Sequence, residues 1–195
     1  MKLCVFQGTF NPIHKVHIEV AKFVKQYYGF DNIIFIPAFI PPHKNVNNLL
    51  AKHRYNMVKL AISDYEFLKI SDIEYKRNEY SYTYNTIVEL YKTYEIDGKI
   101  NFIIGTDAFI NIKTWYKYDL LKNLVHFIVF KRTNNFKESD FSFLKDEGFD
   151  FEFSPMNYME VSSTELRHKI HSGISVKDIE IPSVLEYINK HELYK

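Results

Sequence analysis

Strand-length apolar runs that alternate with helical repeats set the first limit on how this chain can fold. The runs are Leu3 to Phe6, Ile33 to Ile36, Leu68 to Ile73, Phe102 to Ile104 and Phe127 to Phe130, with a weaker one at Phe149 to Phe153. Between the first two, Val16, Val20, Phe23, Val24 and Tyr27 recur at three- and four-residue steps up to Gly29, which predicts a helix stopped by a glycine. Further helices are predicted over Lys52 to Ser63, Tyr84 to Tyr94, Asp119 to Leu124 and Phe141 to Glu147. Strand, helix and strand in succession imply parallel strands joined by right-handed crossovers, and Ile33-Ile34-Phe35-Ile36 suits a strand buried on both faces. The expected fold is α/β, a doubly wound parallel sheet. Two C-terminal helices follow. Ser162 with Glu165 three residues on has the spacing of a capping box and opens a helix that closes near Gly173, and Pro182 suits the first turn of another through Tyr187 to His191.

The 195 residues suffice for one core, and no low-complexity linker divides them, so a single domain over 1–195 is expected. Lys and Arg number 25 against 24 Asp and Glu, which leaves no overall field to draw nucleic acid or an anionic membrane, and neither is expected as a partner. The one cysteine, Cys4, lies inside an apolar run and cannot form an internal disulfide, in keeping with a reducing compartment. No apolar run reaches membrane-spanning length and the first residues lack the apolar core of a secretion signal, so the expected location is the cytoplasm. Self-association to a homo-oligomer is left open.

In a doubly wound sheet, ligands bind beyond the carboxyl ends of the strands where strand order reverses, which directs attention to the loops after Phe6, Ile36, Ile104 and Phe130. The first is Gln7-Gly8-Thr9-Phe10-Asn11-Pro12-Ile13-His14, continuing to His17. Gly8 lets backbone approach a phosphate, and the helix that follows presents unpaired N–H groups and its positive dipole end to an anion. His14 and His17, three residues apart on one helix face, can donate to phosphoryl oxygens. The same spacing could be half of a metal site, but no Cys or carboxylate pattern supplies further ligands, and no metal site is expected. The Gly-Lys-Ser/Thr of a Walker loop and the three-glycine dinucleotide fingerprint are both absent. Ser162, Ser163, Thr164 and Arg167 read either as a plain helix cap with a solvent-facing arginine or as half of an anion clamp. Pro41-Pro42-His43-Lys44 is either a surface loop or a cover for phosphates. In Gly105-Thr106-Asp107, the glycine permits close packing and the aspartate can accept from ribose hydroxyls or cap a helix. Arg132 is a phosphate candidate after the fifth strand, Trp115 on composition alone is core, and Tyr82 and Thr83 follow Ser81 at a helix start.

These segments together resemble the HxGH nucleotidyltransferases, and within them the nicotinate-mononucleotide adenylyltransferase family. The resemblance runs nearly end to end, through Gly8 to His14 with His17, Pro41 to Lys44, Ser81-Tyr82-Thr83, Gly105-Thr106-Asp107, Thr114-Trp115-Tyr116 and Ser162 to Arg167. It implies a Rossmann-like nucleotidyltransferase fold and transfer of the adenylyl group of ATP, with Mg²⁺, to nicotinate mononucleotide. It implies His14, His17 and Arg167 as catalytic groups, and Gly8, Thr9, Phe10, Gly105, Asp107, Arg132 and Ser162 to Thr164 as the ATP site. His43 and Lys44 would contact phosphate. Trp115 would stack on the acceptor's pyridine ring, with backbone near Thr83 and Tyr116 holding its carboxylate and Tyr82 alongside. Two residues depart from the pattern: Gln7 stands where the family often has glycine, and Val16 stands between the histidines, where it would narrow the space beside the nucleotide. A sibling transferase acting on nicotinamide mononucleotide or phosphopantetheine shares the first loop, and a non-catalytic nucleotide sensor could share the fold.

Overall fold

The computed structural model describes residues 2–42, 50–132, 135–157, 161–176 and 180–195. Strands β1 (Cys4–Gly8), β2 (Ile33–Pro37), β3 (Leu68–Ile70), β4 (Ile100–Gly105), β5 (Val125–Phe130) and β6 (Phe151–Phe153) make one sheet in the order β3-β2-β1-β4-β5-β6. Every pairing is parallel, with Cys4 opposite Ile33 and Asn101, and Gly105 opposite Phe130. The order reverses between β1 and β4. The loops leaving those two strands therefore diverge to opposite faces and open a crevice between them.

Alternation along the strands divides the interior in two. Cys4, Ile33, Phe35, Ile103 and Ile128 face one core, covered by α1 (Lys15–Tyr28), α2 (Ala51–Ala61) and α9 (Pro182–Lys190). Val5, Ile34, Ile36, Phe102 and Phe127 face the other, covered by α4 (Thr83–Thr93) and by the short helices α3 (Ile73–Arg77), α5 (Thr106–Phe109), α6 (Tyr118–Leu121) and α7 (Ser142–Asp146). Helix α8 (Ser163–His171) packs Leu166 inward near the crevice. Among the described residues no helix is long and apolar enough to cross a membrane.

The doubly wound parallel sheet matches the sequence expectation, and the differences have local causes. Gly29 ends α1 in the left-handed region (φ 72°), donating to the Lys25 carbonyl. Tyr27, counted in the apolar repeat, is 62% exposed and stacks on Phe23 instead, while Ile18 is buried because α1 is covered on more than one side. The predicted strand to Ile73 stops at Ile70. The Ser71 hydroxyl accepts the Ile73 N–H at 3.3 Å, which turns the chain into α3. The stretch from Asp119 to Leu124 holds only the last part of α6, which starts at Tyr118, and α7 is entered through a 3₁₀ turn at Glu138–Phe141. Ser162 caps α8 by accepting the Glu165 N–H at 3.1 Å, but the Glu165 carboxylate pairs with Lys169 at 2.7 Å.

Phe127 is fully buried among Phe102, Phe109 and Phe149 at centroid separations of 5.7, 5.2 and 6.2 Å. Phe127→Ala should cost roughly 3–5 kcal/mol, read as a lower urea midpoint with an unchanged m-value.

Candidate functional site

A cleft of about 900 Å³ opens where β1 and β4 part, large enough for a dinucleotide-sized ligand. Its walls combine Gly8 to Asn11 and His17 on one side, Gly105, Asp107 and Arg132 on another, Ser162 to Arg167 above, and Tyr82, Thr83, Trp115 and Tyr116 at the far end. A smaller pocket of about 130 Å³ adjoins it, floored by Phe6, Val16, Val20 and Phe130 and sharing His17, Gly105, Asp107 and Arg132 with the cleft. Segments far apart in sequence thus meet, as Asn11 and Arg167 do across a separation of 156 positions. His43 and Lys44 lie outside the described residues.

The first loop is held before any ligand arrives. Gly8 has no side chain because Phe10, at φ 46°, folds back over it; a Cβ there would lie 3.0 Å from the Phe10 ring. Phe10 borders the cleft, but it is only 3% exposed, its ring packed against Phe35 and His17 at 5.4 and 5.1 Å. What it contributes is the shape of the loop. Beneath, the fully buried guanidinium of Arg54 donates to the carbonyls of Thr9 and Phe39, each at 2.9 Å, and to that of Ala38.

The histidine pair divides into two environments. The rings lie 3.8 Å apart, but His17 lines the cleft and His14, the cap residue of α1, is fully buried. The His14 N–H donates to His17 Nδ1 at 3.2 Å, so in the neutral His17 ring the hydrogen sits on Nε2, the atom that can donate to a ligand. Neither ring nitrogen of His14 has a hydrogen-bond partner among the described residues. Burial, reinforced by the positive charge of Arg132, brings the His14 pKa down to about 3, so it is a neutral donor at physiological pH.

Arg167 and the hydroxyls before it knit α8 to the same loop. Arg167 Nη1 donates to the Asn11 carbonyl at 2.7 Å, Ser163 Oγ donates to the Pro12 carbonyl at 3.0 Å, and Thr164 Oγ1 accepts from Arg167 Nη2 at 3.3 Å. Ser162 is occupied as the helix cap. No carboxylate among the described residues lies within ion-pair distance of Arg167, so its charge is held by a carbonyl and offered to the cleft. Across the cleft, a Cβ on Gly105 would meet Asp107 Oδ1 at 2.5 Å and Arg132 Cγ at 2.8 Å, and Thr106 Oγ1 accepts the Arg132 N–H at 3.0 Å. Gly105 is what lets Asp107 and Arg132 stand together, 3.9 Å apart. At the far end, Trp115 is half-buried with its ring edge to Phe102 at 6.4 Å, and the rings of Tyr82 and Tyr116 lie 4.7 Å apart. Trp115 belongs to the cleft wall as well as to the core.

Several supporting residues escape a reading of the sequence. Arg54 occupies a core position of α2, among Ala51, Met57, Val58 and Ala61; an arginine inside an apolar stripe was the available signal. Glu74, fully buried, accepts from Gln7 Nε2 at 2.5 Å, Thr86 Oγ1 at 2.7 Å and the Phe39 N–H at 3.3 Å. Ser81 Oγ accepts the N–H groups of Phe39 and Ile40 at 2.7 and 3.1 Å. Tyr194, far along the chain, donates to Asn11 Oδ1 at 2.6 Å. Neither Glu74 nor Tyr194 carried a pattern in the sequence.

Comparison with known proteins agrees with this geometry. A cytidylyltransferase-like family model matches residues 5–169. A curated relative from Caldicellulosiruptor saccharolyticus, described as a probable nicotinate-nucleotide adenylyltransferase, is 37% identical over 201 residues, covering 100% of both chains. One of the same description from Hydrogenobaculum sp. is 39% identical, covering 100% of this chain and 98% of its own. The chain belongs to the nicotinate-nucleotide adenylyltransferase family. Among solved structures, Plasmodium falciparum nicotinic acid mononucleotide adenylyltransferase complexed with NaAD shares the fold, with a TM-score of 0.82 at 20% identity over 99% of this chain and 97% of that one. In this member of the nicotinate-nucleotide adenylyltransferase family the two departures from the usual pattern have defined places. Gln7 is tied to Glu74, and Val16 forms an apolar wall of the smaller pocket.

The neutral His14 links stability to pH. The unfolded chain binds this proton near the ordinary value of 6.5 and the folded chain only near 3. The stability this depressed pKa represents is whole above pH 6.5 and is lost by roughly 1.4 kcal/mol per pH unit as pH falls towards 3. Urea unfolding of the wild type and His14→Gln at pH 7, 5 and 4 should show the steeper loss only in the wild type.

Proposed function

We propose that this protein transfers the adenylyl group of ATP to nicotinate mononucleotide, forming deamido-NAD and pyrophosphate in NAD biosynthesis. The observation that carries the reading is that one cleft joins a cationic, N–H-rich end, formed by His17 and Arg167, to an aromatic end, formed by Trp115, Tyr82 and Tyr116. Full-length identity of 37–39% to proteins described as probable nicotinate-nucleotide adenylyltransferases supports the same activity.

In the proposed reaction a phosphate oxygen of the acceptor attacks the α-phosphorus of ATP in line. One P–O bond forms there, and the bond from the α-phosphorus to the β-phosphate oxygen breaks, releasing pyrophosphate. No protein nucleophile takes part. Catalysis comes from holding the reactants in line and from donors set where charge develops. His17 Nε2–H donates to the α- and β-phosphates. His14, covered by the core, acts through His17: its backbone N–H donates to His17 Nδ1 and keeps the Nε2 hydrogen directed at the phosphates. Arg167 and the amide groups at the start of α8 hold the departing pyrophosphate.

Val16, Val20, Phe6 and Phe130 offer an apolar floor for the adenine, with Asp107 beside it to accept from the ribose hydroxyls. Gly8, Thr9 and Phe10 act through the backbone of their loop, and Arg132 adds positive charge at the phosphates. Trp115 stacks on the pyridine ring, and backbone near Thr83 and Tyr116 meets its carboxylate. Mg²⁺ enters with ATP as part of the substrate; among the described residues no group of three or more His, Cys, Asp or Glu side chains is gathered to hold a metal.

Pyrophosphate release should be supported by nicotinate mononucleotide in preference to nicotinamide mononucleotide and phosphopantetheine when the three compete in one assay; absence of release with the nicotinate acceptor refutes the reading. His17→Ala should lower kcat by about 100-fold or more, with thermal unfolding shifted by only a few degrees. A folded variant with the wild-type rate removes His17 from the mechanism.

A further inference from the structure

After α9 the chain passes twice through the left-handed region, at Glu192 (φ 52°) and Tyr194 (φ 65°), neither of them glycine. Such backbone persists where its surroundings over-determine it. Here Leu193, between the two, is buried in the core with Val184 and Ile188, and its N–H donates to the Ile188 carbonyl at 3.0 Å. That anchor directs Tyr194 back across the molecule, where its Oη donates to Asn11 Oδ1 at 2.6 Å.

Asn11 sits where the phosphate loop is most tightly held. It lines the cleft at 8% exposure, and its carbonyl accepts from Arg167 while the next carbonyl accepts from Ser163. A carboxamide has one oxygen to accept and one NH₂ to donate. With the oxygen committed to Tyr194, the NH₂ is the part of the group left for an anion. Burial pushes the Tyr194 phenol upward, against the pull of Arg167 and Arg54, so the hydroxyl keeps the proton it donates.

We infer that Tyr194 is a positioning residue for the polyphosphate site: its hydroxyl fixes the Asn11 carboxamide so that Nδ2 donates to the phosphates of the bound nucleotide. The inference rests on the cleft being the ATP site. It goes beyond that reading by assigning Asn11 a donor role and by making the segment after α9 part of the nucleotide site.

The test is equilibrium binding of α,β-methylene-ATP to the full chain, with steady-state kinetics alongside. Tyr194→Phe removes one hydroxyl and keeps the ring. It should weaken the analogue about five- to tenfold and raise the KM for ATP in parallel. The KM for the acceptor should move by less than about twofold, and the effect should vanish in an Asn11→Ala background, because residues acting through one another are not additive. A merely structural tail would give additive losses in that background or equal changes in both KM values, and either result overturns the inference, as does wild-type binding by Tyr194→Phe. Should Tyr194→Phe fail to fold, Asn11→Leu must show the same loss of analogue binding; binding as tight as wild type refutes the donor role. Wild type that binds the analogue yet releases no pyrophosphate with nicotinate mononucleotide counts against the proposed reaction alone.

Discussion

Three carbonyls, of Thr9, Ala38 and Phe39, converge on the buried guanidinium of Arg54, and the shape of the cleft depends on that contact. A charge with no exposed surface is costly unless acceptors surround it, and carbonyl dipoles on the two terminal nitrogens do here what a carboxylate would do elsewhere, while Nε has no partner among the described residues. The three acceptors belong to the loops leaving β1 and β2. One side chain therefore sets the distance between the first loop and the neighbouring wall, and it does so from below, leaving the upper surface open. Burial lowers the Arg54 pKa, and Tyr75, Tyr194 and Glu74 act in the opposite direction.

Glu74 performs the complementary task on the acceptor side. It gathers Gln7 from the end of β1, the Phe39 N–H from the loop after β2 and Thr86 from α4 around one carboxylate, and the Thr86 hydroxyl also receives a bond from Arg77 at 3.1 Å. Burial raises the Glu74 pKa, while hydrogen bonds from Ser81 and Thr86 and the charge of Arg77 oppose the rise. With Arg54 and Glu74 both anchored in the interior, the loops that line the cleft are organised in advance, which suits a reaction whose barrier is lowered by alignment and fixed donors.

How far the sequence was readable follows the range of the forces involved. The β1 strand, the glycine stop of α1 and the Ser162 cap rest on residues within a few positions of one another, and their patterns appear directly in the chain. Tyr27 fits the apolar repeat of α1 yet faces solvent, because periodicity cannot say where a helix face meets water. Ile73 continues an apolar run in sequence but opens α3 in the fold, because a single hydroxyl, that of Ser71, turns the chain there. In the site, His17, Gly105, Asp107, Arg132, Trp115 and Arg167 all reach one cleft. The separation of His14 from His17 could not be read, since two residues three apart look equivalent until the core covers one of them. Arg54, Glu74 and Tyr194 act on partners far away in sequence, where no local pattern records them.

The sequence by itself determined the alternation of strand and helix, the family, and the residue types that meet a nucleotide, because these depend on local periodicity and on side-chain chemistry carried in short motifs. Only the tertiary structure decided that β1 and β4 lie side by side with their loops diverging, that the hydroxyls of Ser162 and Ser163 serve the scaffold, and that Tyr194 reaches Asn11. Those outcomes depend on which surfaces are removed from water together, and burial is a property of the packed molecule rather than of any segment in it.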